Sequence, residues 1–320
     1  MLKFATLKDT HLRFGFDKPI GRTESFFQEV EVKFDFVLQL CIDQGIKYLL
    51  VPGDIFDVKA PHKYSMVQLS AMMRFFHKFK TAGVEWITIA GNHDLPFSSA
   101  SKKSQSIYQF MANHNIINDV VEVPLIVDNQ YCVTGIDYQS PESDVFLQLE
   151  CLNESLDPNK TNIVMLHQHF VPEIATGLDF VSFFRYSDLQ KYDNIDVFVL
   201  GHLHKGYPIQ TLTNANGKKQ TFINQWSPIR LTRDYYSVDD QHIPTVTWYD
   251  GDKFRTTKIP CGDYASSFNE QEVKHDETFA FSLQEFFKKM GTSNLMEEDE
   301  AVVPPEDIKS KVDHYLEKIS

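Results

Sequence analysis

The chain has 320 residues, 42% of them apolar, and a formal net charge of -13 with histidines neutral. That length fits one large core with a smaller attached module, and no run of about eighteen apolar residues offers a membrane span. The acidic balance argues against a free-standing nucleic-acid binder, which would carry a basic face of its own. No basic stretch, apolar block and small-residue cleavage site opens the chain, so Leu2–Leu7 is read as a first strand in a cytoplasmic protein, not as a leader. The four cysteines, Cys41, Cys132, Cys151 and Cys261, are scattered and form no CxxC pair, so they are expected as buried fillers in a reducing compartment.

Apolar strand-like runs alternate with helix-like runs, the pattern of an α/β layered domain. The expected strands are Leu2–Leu7, Lys47–Val51, Glu85–Ala90, Asn162–Leu166 and Asp196–Leu200. Between them, Thr23–Gln44 repeats apolar residues at helical spacing (Phe27, Val30, Phe34, Val37, Leu38) and stops at Gly45. His62–Ala82 does the same and stops at Gly83, with Lys63, Arg74, Lys78 and Lys80 as a solvated face. From Val120 to Asp137 short β-rich pieces such as Tyr131–Ile136 take over. Beyond Leu200 the chain is mostly β: Tyr207–Leu212 and Gln220–Asn224 flank an Asn-Ala-Asn-Gly turn, and Thr245–Tyr249 and Phe254–Ile259 flank Asp250-Gly251, a hairpin signal. The expected organisation is a main domain over 1–235, a small β-rich capping region over 236–280, and a linker with short helices over 281–320. In that last stretch the acidic, Pro-Pro-containing 296–306 sits between two amphipathic pieces, Ser282–Met290 and Pro305–Ile319. These are too short to be stable alone and are expected to dock a partner or fold back.

Five of the strands lead into metal-type residues: Asp9-Thr10-His11, Gly53-Asp54-Ile55-Phe56-Asp57, Gly91-Asn92-His93-Asp94, His167-Gln168-His169 and Gly201-His202-Leu203-His204. Open α/β sheets place their sites at the carboxyl ends of strands, so five such ends mark a site. Residues at i and i+2 on an extended segment face one way. Asp9 and His11 can thus grip one ion, while His202 and His204 can each face one of two neighbours. The glycines before Asp54, Asn92 and His202 permit tight turns. His167 follows the apolar strand directly and is preferred as ligand, with His169 as the alternative. His62, His77, His114, His242, His275 and His314 lack such a setting and are read as surface or packing residues. Imidazole, carboxylate and amide oxygen without thiolate suit manganese, iron or zinc-like ions, and two ions roughly 3.5–4 Å apart can clamp a phosphate.

The ordered set Asp-x-His, Gly-Asp, Gly-Asn-His-Asp, His and Gly-His-x-His resembles the calcineurin-like metallophosphoesterase superfamily. Within it, Asp54-Ile55-Phe56-Asp57, Gly201-His202-Leu203-His204-Lys205 and Ser227-Pro228-Ile229-Arg230-Leu231 resemble the SbcD-type nuclease subunit, in a compact form similar to bacteriophage versions. The resemblance covers about residues 1–235. It implies a four-layer α/β/β/α sandwich and two divalent ions, manganese foremost. Asp9, His11, Asp54 and His204 would hold one ion; Asp54, Asn92, His167 and His202 the other, with Asp54 bridging. His93 would contact the phosphate and assist the leaving oxygen, and Asp57 would orient His93 and raise its pKa. It further implies DNA ends as substrate, a role in repair, recombination or replication, and an SbcC-type ATPase partner in a heterotetramer built on a homodimer. Lys8, where the family commonly has a small residue, Trp226, where glycine often precedes the Ser-Pro step, and a short C-terminal region depart from that pattern. Gly-Asp-Ile-Phe-Asp lacks the Arg-Gly that follows in protein phosphatases, which leaves a nucleotide phosphodiesterase as the competing enzyme reading. A scaffold without metals is the non-catalytic one, and the filled ligand set weighs against it.

Overall fold

The structure is a computed structural model that describes residues 2–14, 18–19, 21–57, 64–141, 144–175, 183–230 and 242–269. The chain divides into two units, Met1–Lys18 with Glu24–Tyr264, and Pro19–Thr23 with Ala265–Ser320. In the second unit, the described residues form an antiparallel bridge between Arg22 and Phe268, whose ring lies 5.0 Å from the guanidinium. The tail pieces Ser282–Met290 and Pro305–Ile319 lie outside the described residues.

The described residues of the first unit hold fourteen strands in chain order: β1 (Phe4–Thr6), β2 (Tyr48–Pro52), β3 (Glu85–Ile89), β4 (Asn118–Asp119), β5 (Leu125–Val127), β6 (Tyr131–Ile136), β7 (Thr161–His167), β8 (Phe170–Val171), β9 (Phe184–Arg185), β10 (Val197–Gly201), β11 (Gln210–Thr213), β12 (Lys219–Ile223), β13 (Thr245–Tyr249) and β14 (Phe254–Lys258). One six-stranded sheet runs β14-β13-β1-β2-β3-β4, and a second runs β11-β12-β10-β7-β6-β5. The inner strands of each are parallel; antiparallel pairs stand at both edges of the second sheet and at the β14 edge of the first, whose β4 edge is parallel. β8 and β9 form a separate parallel pair.

Side-chain alternation stacks these sheets face to face. On β2, Leu50 faces the other sheet, while Leu49 and Val51 face helices. On β10, Val197 and Val199 face inward, and Phe198 and Leu200 face outward. The core between the sheets adds Phe4, Ile87, Ile89, Ile163, Met165 and Ile223. Helices α1 (Phe26–Gln44), α2 (Met66–Thr81) and α3 (Ile107–Asn113) cover the first sheet, and α4 (Val145–Ser155) covers the second. The result is the expected α/β/β/α sandwich. Strands buried on both faces explain why the sequence reads as continuous apolar runs.

Several details differ from expectation. Helix α1 buries Phe26, Phe34, Val37, Leu38 and Cys41 but leaves Phe27 exposed. It ends at Gly45, whose φ of +63° lets the Ile46 N–H reach back to the Cys41 carbonyl. Helix α2 begins at Met66, set by a reciprocal cap in which the Gln68 N–H donates to Ser65 Oγ and the Ser65 N–H to Gln68 Oε1. The hairpin from the stretch expected to form a cap, β13–β14, adds to the first sheet beside β1. Cys41 and Cys132 are buried, but Cys151 and Cys261 are exposed, so only half of the expected filler role holds. His77 and His114 are on the surface, and His242 is a packing residue whose Nδ1 accepts from Arg230 Nε at 3.1 Å. No helix among the described residues is long and apolar enough to cross a membrane.

Candidate metal centre

The segments that follow β1, β2, β3 and β10, with the last residue of β7, meet at one rim of the sandwich. The backbone there is strained: Asp9, His11, Asp54 and His202 have φ of 49°, 40°, 51° and 87°. A residue with a Cβ pays about 1–2 kcal/mol for that region, so the surroundings must hold it. They do so with hydrogen bonds between segments. The His11 N–H donates to the Asp54 carbonyl at 2.9 Å and the Leu12 N–H to that of Ile55 at 2.7 Å. The His202 N–H donates to Asp9 Oδ1 at 2.9 Å, and the His93 N–H to Asp54 Oδ1 at 2.8 Å.

The glycines serve close approach more than turning. A Cβ on Gly91 would lie 2.2 Å from Asp54 Oδ1, and one on Gly201 would lie 2.1 Å from the Pro52 carbonyl oxygen. Of the three expected turn formers, only Gly53 has positive φ, at 82°.

Two donor sets result, Asp9 with His11 and His204, and Asp54 with His167 and His202. In the first, the Nε2 atoms of His11 and His204 are 3.0 Å apart. In the second, His167 Nε2 lies 3.3 Å from Asp54 Oδ1 and 3.1 Å from Asn92 Oδ1. His167 Nδ1 donates to the Pro52 carbonyl at 2.7 Å, which turns the Nε2 lone pair toward those oxygens. Asp54 faces both sets, since its Oδ2 is 3.6 Å from His11 Nε2. His169 packs its ring 3.9 Å from that of His202, and the place in the donor set belongs to His167.

These residues fit divalent cations. Asp9 Oδ2 is fully buried with no hydrogen-bond partner among the described residues, and in each set imidazole nitrogens and a carboxylate oxygen lie within 4.8 Å of one another. Such an arrangement is repulsive without positive charge between the donors. The protonation pattern says the same. Burial opposes charge on His167, yet the Asp54 carboxylate overrides it and raises the pKa to about 9. His11 is also raised against burial, by Asp57 and Asp54. Burial and the neighbouring imidazoles push His202 well down, and burial with His11 takes His204 to about 4. Asp54 is held well below the usual carboxylate range, since His167 and His11 outweigh its burial.

His93 sits beside this centre, with 33% of its side chain exposed, in a third cluster with His11 and Asp57. Its Nδ1 is 3.3 Å from the Asp57 main-chain oxygen and 3.7 Å from Asp57 Oδ1. The expected Asp57–His93 pair is thus an ion-pair contact beside a main-chain hydrogen bond. The Asp57 carboxylate also pairs with Arg13 and lies 3.4 Å from His11 Nδ1.

Three supporting residues were not among the expected site residues. Asp94 accepts from the main-chain N–H groups of Phe56 and Gly91 at 2.9 Å and of Ile55 at 3.2 Å, cross-linking two ligand loops. Lys8, buried, donates to Asn224 Oδ1 and to the Leu203 and Lys205 carbonyls on either side of His204. Ser227 Oγ donates to the Asp9 carbonyl at 2.9 Å. A lysine directly before Asp9, where a small residue is common in the family it resembles, was a legible signal for the second of these.

The chain is similar to several known proteins. A relative from Methanosarcina acetivorans, a DNA double-strand break repair protein Mre11, is 23% identical over 85% of this chain and 44% of its own length. A protein of the same name from Sulfolobus acidocaldarius is 25% identical over 62% of this chain and 48% of its own. The chain therefore spans about half the length of these curated relatives. A dimetal phosphatase from Danio rerio aligns over 82% of this chain and 97% of its own, with 11% identity and a TM-score of 0.49. The calcineurin-like phosphoesterase family matches residues 7–206, the span that carries every donor named above. By that match and that donor set, the chain belongs to the calcineurin-like phosphoesterases, a hydrolase family that binds two divalent metals.

Proposed function

We propose that this chain is a metal-dependent DNA nuclease, the phosphodiesterase subunit of an SbcCD-type end-processing complex. The observation that carries it is Asp54, one carboxylate whose two oxygens face two separate donor sets. The likeness to proteins named for double-strand break repair favours DNA over other phosphoesters. Asp9, His11, Asp54 and His204 would hold one cation, and Asp54, Asn92, His167 and His202 the other, with manganese as the native metal. Ions so held supply positive charge to a bound phosphate and lower the pKa of water at the site.

The protein's own part is positioning and proton transfer. Asp94 and Lys8 hold the ligand loops in a strained arrangement that is ready before substrate arrives. His93 has its Nδ1 turned to a main-chain carbonyl, which fixes that nitrogen as a donor. Protonated at Nε2, it gives a proton to the departing oxygen and stabilises charge on the phosphate. The net charge of -13 calls for a partner that supplies basic surface, a role that suits an SbcC-type ATPase.

The test is cleavage of linear DNA by the purified chain with manganese, with and without the ATPase and ATP, against hydrolysis of cyclic nucleotides. Manganese-dependent DNA cleavage supports the reading. Turnover confined to cyclic nucleotides or other small phosphoesters overturns it.

A further inference from the structure

The loop that carries Asn92 and His93 continues into a tight turn, Pro96–Ser98, that the site described above does not use. Phe97 stands at its tip with φ 55° and ψ 24°, followed by Ser98 at φ 51°. Two successive left-handed residues with side chains are uncommon, and a bulky aromatic there is an outlier. Glycine would take the same backbone without strain. Phe97 gains no burial in return: at 88% it is the most exposed large apolar side chain among the described residues. Folding stability therefore does not account for it, and strain of this kind collects where a group is presented for use.

The turn is fixed to the metal centre. Ser98 Oγ donates to the main-chain oxygen of Asn92 at 3.3 Å, and the Ser98 N–H to that of Leu95 at 3.0 Å. Leu95 and Pro96 are buried, and Asp94 is held by its three main-chain N–H donors. The ring is thus carried on a rigid extension of the ligand loop, four residues past His93. Ala100, Ser101 and Lys102, three to five residues further along the chain, are exposed, so a hydroxyl and an ammonium follow the ring closely in sequence. A ring face with a nearby cation and hydroxyls is the chemistry that grips single-stranded nucleic acid, base by stacking and backbone by charge.

We propose that Phe97 is a stacking platform for an unpaired nucleobase next to the phosphodiester held at the metal centre. This rests on the DNA reading above. It makes Phe97 a substrate-positioning residue: the ring holds one base flat, and the loop it shares with Asn92 and His93 sets where the neighbouring phosphate falls.

The experiment compares oligonucleotides that are intact with ones made abasic at the nucleotides flanking the cleaved bond, in wild type and in Phe97→Ala and Phe97→Gly, with metal content and thermal midpoint recorded for each. In wild type, kcat/KM should fall about 5- to 150-fold on the abasic strand, the range for one stacked base. In both variants the intact-to-abasic ratio should collapse toward one, both metals should remain, and Phe97→Gly should melt no lower than wild type. Phe97→Trp should restore the ratio. A wild-type ratio in Phe97→Ala overturns the stacking role, as does lost ATPase association with the ratio unchanged, which would assign the ring to a protein contact. A wild type that binds two metals and cleaves no DNA at all overturns the DNA reading instead.

Discussion

The two sheets contribute unlike donors to one centre. The first supplies the proposed oxygen ligands, Asp9, Asp54 and Asn92, together with His11, on loops where three of the four residues have left-handed backbone. The second supplies imidazoles alone, His167, His202 and His204, and His167 is simply the last residue of β7. Negative charge is therefore concentrated on the first sheet's side, and the second sheet faces it with imidazoles alone. The centre is assembled only when the sandwich closes, because each donor set draws on both sheets. Asp54 is the carboxylate that reaches both sets, so the comparison is sharpest there.

Breaking that link should have the largest effect. Asp54→Ala removes an oxygen donor from each set and also the acceptor for the His93 N–H. Cleavage should fall beyond the roughly 10²–10⁴-fold that loss of a proton donor alone costs. Metal analysis of the dialysed variant should find both ions depleted. Two ions retained at wild-type affinity would disprove the shared role.

His93→Ala tests the opposite case, a side chain of the first sheet that touches the centre without belonging to either donor set. Cleavage should drop roughly 10²–10⁴-fold while both metals stay bound. A variant that cleaves DNA with manganese at the wild-type rate would remove the imidazole from the chemistry.

Much of this was legible in the sequence, for a physical reason. Strands buried on both faces, such as Asn162–Leu166 and Asp196–Leu200, announce themselves as apolar runs, and ligands must follow them at strand ends. Less legible was whatever depends on partners distant in the chain. That Gly91 and Gly201 serve crowding and not turning follows from Asp54 and Pro52, which lie far away in sequence. The pairing of β13 with β1 is a non-local event with no local mark, and α3 and α4 went unread among short apolar pieces. His167 was preferred to His169 only for following the apolar strand directly; β7 aims it at Asp54 and leaves His169 against a ring.

Asp94 is the residue that distance hid most, and it probes whether the strained loops need their cross-link. Asp94→Asn keeps the shape but turns one acceptor oxygen into a donor facing main-chain N–H groups. Manganese affinity should weaken about 10–100-fold, the usual cost of losing a group that orients metal ligands. Calorimetric titration of the chelated protein would measure it, and an unchanged affinity would reduce Asp94 to a filler.

The smallest effect concerns protons, and it separates two imidazoles that the second sheet lends to different donor sets. With metals chelated away, His167 keeps its proton up to about pH 9, because the Asp54 carboxylate outweighs burial. His204 stays neutral down to about pH 4, where burial and His11 hold it. A metal entering beside Asp54 must displace the His167 proton, so affinity should rise about tenfold per pH unit through neutrality and level off near pH 9. The same shifts fix the stability of the chelated chain. The folded pKa of His167 exceeds the unfolded value of about 6.5, so its contribution is whole below that value and is lost as pH rises through about 9. His204 has a depressed folded pKa, so stability is lost as pH falls from about 6.5 toward about 4. The chelated protein should therefore melt highest near pH 6–7, roughly the ordinary histidine range, and bound manganese should flatten the alkaline limb. Calorimetry in buffers of different ionisation enthalpy counts the protons directly. Manganese binding at neutral pH with no proton release would mean that His167 is already neutral, and that the carboxylate side does not govern the ring side.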